Sequence, residues 1–107
     1  MGITVKGCSN KEYAFDGPYN NTEQLKDSSG VYFITCLKNG KYYPIDVGES
    51  KNVKSRIETH DRADCWSKNC NEKLMVAVYY TPNKQQHGRI EIELDIRCNY
   101  NFPCGDR

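Results

Sequence analysis

The alternation of apolar and polar residues predicts three strands. Residues 30–37, GVYFITCL, are mostly β-branched or aromatic, which is typical of a strand buried on both faces. The Asn-Gly pair at 39–40 favours a type I′ hairpin, so residues 42–47, YYPIDV, are predicted to return antiparallel. Pro44 indicates that this second strand lies at an edge of the sheet or begins near Ile45. Residues 73–81, KLMVAVYYT, predict a third, buried strand.

A helix is predicted after the second strand. Gly48 is expected to end that strand, and the helix is expected to run from about Lys51. In a helix with this start, Asn52, Arg56 and His60 fall at i, i+4 and i+8 on one face. An amide, a guanidinium and an imidazole would then share one face of the helix.

The chain of 107 residues allows one domain. Residues 1–27 are polar and rich in turns, and we expect them to form an extension outside a main domain at 28–107. Within the extension, TVKG at 4–7 and EYAF at 12–15 predict a short hairpin. Residues 20–30 predict one helical turn followed by a loop.

The segment 89–98 has two interpretations. Apolar Ile90, Ile92, Leu94 and Ile96 alternate with charged residues, which by period is a strand with one wet face. Wound as a helix, the same residues form two apolar stripes with charges between them. Periodicity alone favours the strand.

Composition and charge argue against some classes of protein. Apolar residues make up 37% and mean hydropathy is −0.81, so the core must be thin. A net charge of +1 argues against a generic polyanion binder but permits a local basic patch. No apolar run approaches the ~20 residues of a membrane span. The N-terminus lacks the apolar region of a signal peptide, so we expect no membrane partner and a cytoplasmic location.

Six cysteines are many for this length, and without a secretory signal they are expected to be free thiols. His60, Cys65 and Cys70 have an H-x4-C-x4-C spacing that is looser than structural zinc sites, so zinc is not expected. A zinc-stabilised interaction module is a weaker alternative. Trp66 is expected to cap the core rather than to stack on a base.

Several short motifs stand in a fixed order over residues 28–106. Eight residues separate the second glycine motif from the arginine, four more lead to the histidine, and the glutamate lies twelve residues before position 105. Together they resemble the GIY-YIG nuclease family. The motifs are GVY at 30–32, DVG at 46–48, Arg56, His60, Glu93 and YNFPCG at 100–105.

The resemblance implies an α/β (α+β) fold, in which a small three-stranded antiparallel sheet is flanked by helices. It also implies that residues 86–100 are helical, against the period-2 pattern. By function it implies a metal-dependent endonuclease that hydrolyses phosphodiester bonds of nucleic acid, in the first place DNA. One Mg²⁺ (or Mn²⁺) ion per site would be required.

The resemblance also assigns roles to individual residues. Glu93 would be the metal ligand and Arg56 would hold the scissile phosphate. Tyr32 would be the general base, with His60 as its hydrogen-bonding partner. We expect Arg56 and Lys51 to lower the pKa of the Tyr32 phenol.

The residues that follow the second strand would bind substrate. Gly48 would let the backbone approach the substrate closely, and Glu49, Ser50, Lys51 and Asn52 lie at the mouth of the predicted helix.

Two positions depart from the family pattern. Asp46 stands where the second motif normally has tyrosine; Tyr42 or Tyr43 could supply a phenol, or Asp46 could act as base or second metal ligand. Gly105 stands where the family often has an asparagine. These departures leave open an alternative function, a catalytically impaired module that binds nucleic acid or protein. A nuclease this small would have low intrinsic specificity, act on a distorted structure or borrow specificity from a partner protein. Cutting both strands of a duplex would require a homodimer or two successive events.

Overall fold

The computed structural model describes residues 2–105. In this part of the chain, five strands and three helices follow one another. They are β1 (Gly2–Lys6), β2 (Glu12–Tyr19), β3 (Gly30–Lys38), β4 (Lys41–Ser50), α1 (Val53–Glu58), α2 (Ala63–Lys68), β5 (Lys73–Tyr80) and α3 (Gln86–Asn99). The α+β fold class is confirmed. None of the helices within residues 2–105 has the length and apolar character that membrane crossing requires.

The strands form one antiparallel sheet in the order β1-β2-β5-β3-β4. The predicted count of three strands is therefore wrong. The predicted N-terminal hairpin exists, with Val5 opposite Tyr13, and its second strand pairs with β5. Without β2, the backbone groups of β5 would form an unpaired edge, so the hairpin satisfies hydrogen bonds that the three-strand sheet leaves open.

The segment between β2 and β3 holds one turn, closed by the Leu25 N–H donating to the Thr22 carbonyl at 3.1 Å. The β3–β4 hairpin is as predicted: Asn39 and Gly40 have φ of 53° and 76°, as a type I′ turn requires. As Pro44 indicated, β4 is an edge strand. Gly48 does not end it, because pairing continues to Ser50 opposite Gly30.

The sheet has a layer of helices on each face. Tyr32 and Ile34 of β3 pack toward α1 and α2, in a cluster that includes Val53, Ile57 and Trp66. Val31 and Phe33 point to the opposite face and pack with Ile92 and Ile96 of α3. The prediction that β3 is buried on both faces is confirmed.

Residues 86–99 are helical, as the resemblance implied. The helix buries Ile92 and Ile96, four residues apart, while Leu94 is 43% exposed. The two apolar stripes are thus not equivalent: one packs on the sheet and the other lies toward solvent.

All six cysteines form disulfides, so the prediction of free thiols is wrong. Each disulfide joins elements that are distant in sequence, which no spacing argument could pair. The pairs are Cys8–Cys98, Cys36–Cys70 and Cys65–Cys104. A thin core of a 107-residue chain gains stability from such cross-links. Disulfides are rare in cytosolic proteins, so these three do not fit the cytoplasmic location that the N-terminus led us to expect.

Candidate active site

A polar cavity of about 260 Å³ lies at the edge strand β4. Because β4 has no neighbour on its outer side, side chains from both helical layers can reach the cavity. On the side of α1 and α2, the cavity is lined by Tyr32 of β3, Arg56 of α1 and Arg62, which immediately precedes α2. On the other side it is lined by Glu93 and Arg97 of α3. Gly48, Glu49 and Gly105 complete the lining. Three predicted catalytic residues, at positions 32, 56 and 93, therefore line one cavity.

Tyr32 and His60 form a buried hydrogen-bonded pair. The Tyr32 Oη lies 2.5 Å from His60 Nε2, and His60 Nδ1 accepts the backbone N–H of Arg62 at 3.0 Å. Since Nδ1 is an acceptor, the proton of the neutral ring is on Nε2 and is donated to the phenol oxygen. The Tyr32 hydroxyl proton is then free to point into the cavity.

The pKa values of this pair are shifted by burial. Burial, with smaller contributions from Arg56 and Arg62, lowers the pKa of His60 to about 4, so the ring is neutral at pH 7. Its 3.2 Å contact with Asp61 is therefore not an ion pair. Burial also raises the pKa of Tyr32 to about 12, outweighing Arg62 and Arg56, which lower it. Arg56 acts in the expected direction, but burial outweighs it, so the expected net lowering of the phenol pKa is wrong.

Arg56 is carried by α1, which a residue outside the helix holds in place. The Asp27 carboxylate accepts the backbone N–H of Ser55 at 3.0 Å and the Ser55 hydroxyl at 2.6 Å. Arg56 Nη2 lies 3.2 Å from Asp61 Oδ1, and the Arg56 side chain remains 39% exposed. Its guanidinium is thus accessible to an incoming anion. His60 lies beyond Glu58, the last residue of α1, so the predicted single helical face is wrong for His60.

Glu93 is 2% exposed and lines the cavity from α3. Its Oε2 lies 3.7 Å from Arg97 Nε, one helical turn away. Within residues 2–105, no three His, Cys, Asp or Glu side chains gather into a ready metal cluster. Mg²⁺ keeps several waters and takes one or two protein carboxylates. A buried carboxylate at an open polar cavity fits that ion.

Asp46 is fully buried and accepts hydrogen bonds on both carboxylate oxygens. Oδ2 accepts from Arg62 Nε at 2.7 Å and from Trp66 Nε1 at 2.8 Å. Oδ1 accepts from Arg97 Nη2 at 2.7 Å and from the Val47 N–H at 2.8 Å. With its acceptors engaged, Asp46 is poorly suited to be a base or a second metal ligand. Trp66 is buried, as expected of a core tryptophan.

Arg97 connects the two positions that depart from the family pattern. It donates to Asp46, to the Val47 carbonyl and to the Cys104 carbonyl, and its guanidinium lies 5.1 Å from the Phe102 ring centroid. Gly105 has φ of 82°, and a Cβ there would lie 2.7 Å from Arg97 Nη2. Asp46 therefore binds Arg97 and Gly105 leaves room for it.

The predicted substrate-binding residues divide into two groups. Gly48 and Glu49 line the cavity. A Cβ on Gly48 would collide with the Tyr32 hydroxyl, so this glycine makes room for the phenol rather than for substrate backbone. Glu49 Oε1 accepts from Arg89 Nε at 2.8 Å, in a buried ion pair.

Ser50, Lys51 and Asn52 do not line the cavity. Ser50 Oγ accepts the Asn52 N–H at 3.0 Å, and Asn52 is the N-cap residue of α1. Lys51 is exposed. Tyr42 and Tyr43 lie opposite Leu37 and Cys36, near the hairpin turn. They are about five strand residues from Gly48, or roughly 17 Å at strand rise, too far to replace the missing phenol.

Sequence reasoning did not identify Arg62 or Arg97 as residues of the site. The only signal was their charge, since the sequence permitted a local basic patch without assigning residues to it. The zinc alternative is not supported by the pairing of the cysteines, because Cys65 and Cys70 belong to different disulfides.

Residues 28–101 match a family model described as the GIY-YIG catalytic domain, which spans well over half of the chain. No curated protein and no solved structure gives a significant match.

Proposed function

Because the chain belongs to the GIY-YIG catalytic domain family, we propose that it is a metal-dependent endonuclease acting on DNA. The family is one of nucleases, and the substrate and the metal are our proposal. The observation that supports it most is the lining of one cavity by Tyr32, Arg56 and Glu93, which are far apart in sequence. A hydrolytic site for phosphodiesters needs a proton acceptor, a cation for the phosphate and a metal ligand within one space.

We propose the following roles for the residues that line this cavity. Arg56, exposed at the cavity, would bind the scissile phosphate and neutralise the charge that develops on it. Tyr32 would accept a proton from the attacking water, and the Nε2–H of His60 would stabilise the phenolate oxygen by donating to it.

Glu93 would hold one divalent cation, Mg²⁺ or Mn²⁺, which when bound would supply positive charge at the phosphate oxygens. The same positive charge would oppose the effect of burial on the Tyr32 pKa. We infer that Asp46 is a positioning residue, since it orients Arg62 and Arg97 without an acceptor to spare.

A nicking assay on supercoiled plasmid tests this proposal. Cleavage is expected with Mg²⁺ or Mn²⁺, none with EDTA, and a loss of at least 100-fold in Glu93→Gln and Arg56→Ala. Glu91→Gln is the matched control, because it makes the same charge change on the exposed face of the same helix. Equal activity in Glu93→Gln and Glu91→Gln would refute the assignment of the metal ligand.

The alternative is a protein that binds nucleic acid without cleaving it. It is favoured by the Tyr32 pKa, which burial raises to about 12 and which keeps the phenol protonated at pH 7. Binding of the plasmid with no nicking under Mg²⁺, Mn²⁺ or Ca²⁺, at pH 7 and at pH 9, would select this alternative.

We also infer that the protein folds in an oxidising compartment rather than in the cytoplasm. Three disulfides within 107 residues are typical of such compartments, where thiols are not kept reduced. A homodimer for cutting both strands of a duplex remains part of the proposal, because the cavity contains one candidate metal ligand and one candidate base. A partner protein that confers specificity also remains part of it.

A further inference from the structure

Arg62 is held at the cavity by contacts on one side only. Its Nε and Nη2 donate to the two oxygens of Asp46, at 2.7 and 3.4 Å. In the described part of the chain nothing accepts from its Nη1, and the side chain is 33% exposed. The guanidinium is therefore fixed along one edge and open to the cavity along the other.

The three arginines of the cavity differ in what they can still bind. Arg97 is 8% exposed, and its donors are directed at Asp46, Val47 and Cys104. Arg56 Nη2 donates to Asp61, whose own side chain is 77% exposed. Among the arginines of residues 2–105 that line the cavity, Arg56 and Arg62 thus have donors available for a ligand, and each can bind a phosphate through a pair of N–H groups.

The two available guanidinium groups occupy separate positions. Arg56 belongs to α1, whereas Arg62 immediately precedes α2, and His60 lies between them. Asp46 binds the Nε edge of Arg62 and so fixes this guanidinium in place. With Arg56 and the cation at Glu93 on the scissile phosphate, as proposed above, the remaining donors of Arg62 are left for a neighbouring phosphate. Both arginines act on Tyr32 and His60 through space, so both positions belong to the same site.

We propose that Arg62 binds the phosphate adjacent to the scissile one, so that the substrate is a strand with at least two consecutive phosphodiesters. This inference rests on the proposed nuclease function, and it assigns Asp46 the role of orienting Arg62. The aspartate at the second motif then has a purpose: a neutral tyrosine could not hold a guanidinium by two charge-assisted hydrogen bonds.

Salt dependence of binding tests the phosphate contact without catalysis. The probe is a fluorescein-labelled single-stranded 12-mer in EDTA, titrated by anisotropy from low to moderate NaCl. Loss of one phosphate contact reduces the slope of log K against log salt by about 0.7. We expect this reduction in Arg62→Gln and an unchanged slope in Lys68→Gln, which removes a charge from α2 outside the cavity. An unchanged slope in Arg62→Gln would overturn the inference.

Cleavage of short substrates tests the position of that phosphate. A dinucleotide offers one phosphodiester and a trinucleotide offers two. Arg62 also acts on the Tyr32 pKa, so Arg62→Gln is expected to lose some activity on both substrates. We expect its loss of kcat/KM to be about 10-fold larger on the trinucleotide than on the dinucleotide. An equal loss on both substrates would overturn the inference.

Further variants separate this inference from the nuclease proposal. Arg62→Lys keeps the charge but not the planar fork, so it should keep the salt slope and lose about 10-fold on the trinucleotide; it decides the matter if Arg62→Gln does not fold. Wild-type protein that binds the 12-mer with an Arg62-dependent slope but cleaves nothing refutes hydrolysis and retains the Arg62 contact. Wild-type cleavage with no effect of either Arg62 variant refutes the contact and retains hydrolysis.

Discussion

At the scale of single residues, the site depends on side chains that are matched in pairs. Gly48 leaves the space that the Tyr32 phenol occupies, and Asp46 receives Arg62 and Arg97. The buried His60 ring is kept neutral, and the neutral ring donates to Tyr32. Substituting one member of a pair removes the contact between the two residues, so each contact can be tested by substitution.

Gly48→Ala should displace the Tyr32 phenol. A Cβ at this position collides with the hydroxyl and ring carbons, so the side chain must leave its hydrogen bond with His60. We expect roughly a 100-fold loss of cleavage and a loss of about 1–3 kcal/mol in unfolding free energy. Plasmid nicking and urea denaturation measure the two effects.

Gly88→Ala is the control for this substitution. It lies in α3, where the nearest atom to a new Cβ is the Lys84 Cβ at 3.4 Å. It should leave cleavage unchanged and add up to about 1 kcal/mol of stability. Normal activity in Gly48→Ala would show that Tyr32 does not need its present position.

The free energy of unfolding should decrease as the pH is lowered, because of His60. Its pKa is about 4 in the folded protein and about 6.5 when unfolded, so below pH 6.5 the unfolded chain takes up a proton that the fold resists. The stabilisation is complete above pH 6.5 and is lost toward pH 4, by at most about 3 kcal/mol. Urea unfolding at pH 7 and pH 4.5 measures it.

His60→Gln should flatten this dependence, since an amide does not titrate in the range. The lowered pKa values of Asp27, Asp61 and Asp95 affect stability below the ordinary aspartate pKa of 3.8 and so lie outside this window. Parallel pH profiles for wild type and His60→Gln would show that another group is responsible.

At the scale of elements, the disulfides fix segments that have little secondary structure. Cys65–Cys104 joins α2 to the segment after α3. This segment carries the Cys104 carbonyl that receives Arg97, and Gly105 at the cavity wall. The Cys104 N–H also donates to the Ile45 carbonyl at 3.1 Å, which ties the segment to β4.

Replacing Cys65 and Cys104 together with serine should reduce both stability and activity. The disulfide closes a loop with a sequence separation of 39, for which chain entropy predicts about 4 kcal/mol. Cleavage should fall as well, because Arg97 loses a fixed acceptor. Thermal unfolding and the nicking assay report on the two separately.

The matched control is the serine pair at Cys8 and Cys98. This disulfide closes a longer loop, with a separation of 90, away from the cavity. Replacing this pair with serine should lower the free energy of unfolding by at least as much and leave the cleavage rate of the folded protein unchanged. Equal loss of activity in both pairs would mean that Cys65–Cys104 serves stability alone.

At the scale of the whole molecule, the N-terminal residues share the sheet and the core with the rest of the chain. Val5, Tyr13 and Phe15 pack with Val31 and other residues of the α3 face. Burial of each such side chain contributes about 1.5–3 kcal/mol, against a typical total stability of 5–15 kcal/mol. The core on this face is therefore shared between the predicted extension and the predicted main domain.

Deletion of residues 1–19 should abolish cooperative folding. It removes two strands, exposes the edge of β5 and uncovers the α3 side of the core. Far-UV circular dichroism during thermal unfolding is the measurement. The serine pair at Cys8 and Cys98 removes the cross-link but keeps both strands, and it should still unfold cooperatively. A folded, active fragment 20–107 would support the predicted division into an extension and a separate domain.

The sequence by itself determined the elements whose signals are local. The buried β3, the Asn39-Gly40 turn and the edge position of β4 each follow from a few neighbouring residues. The set Tyr32, Arg56 and Glu93 could be chosen because motif order and spacing are properties of the linear chain. Only the tertiary structure decided how Asp46 is used, which cysteines pair and where the N-terminal hairpin docks. These three features depend on contacts between residues that are 16 to 90 positions apart. The free energy of such contacts cannot be estimated from a local sequence pattern.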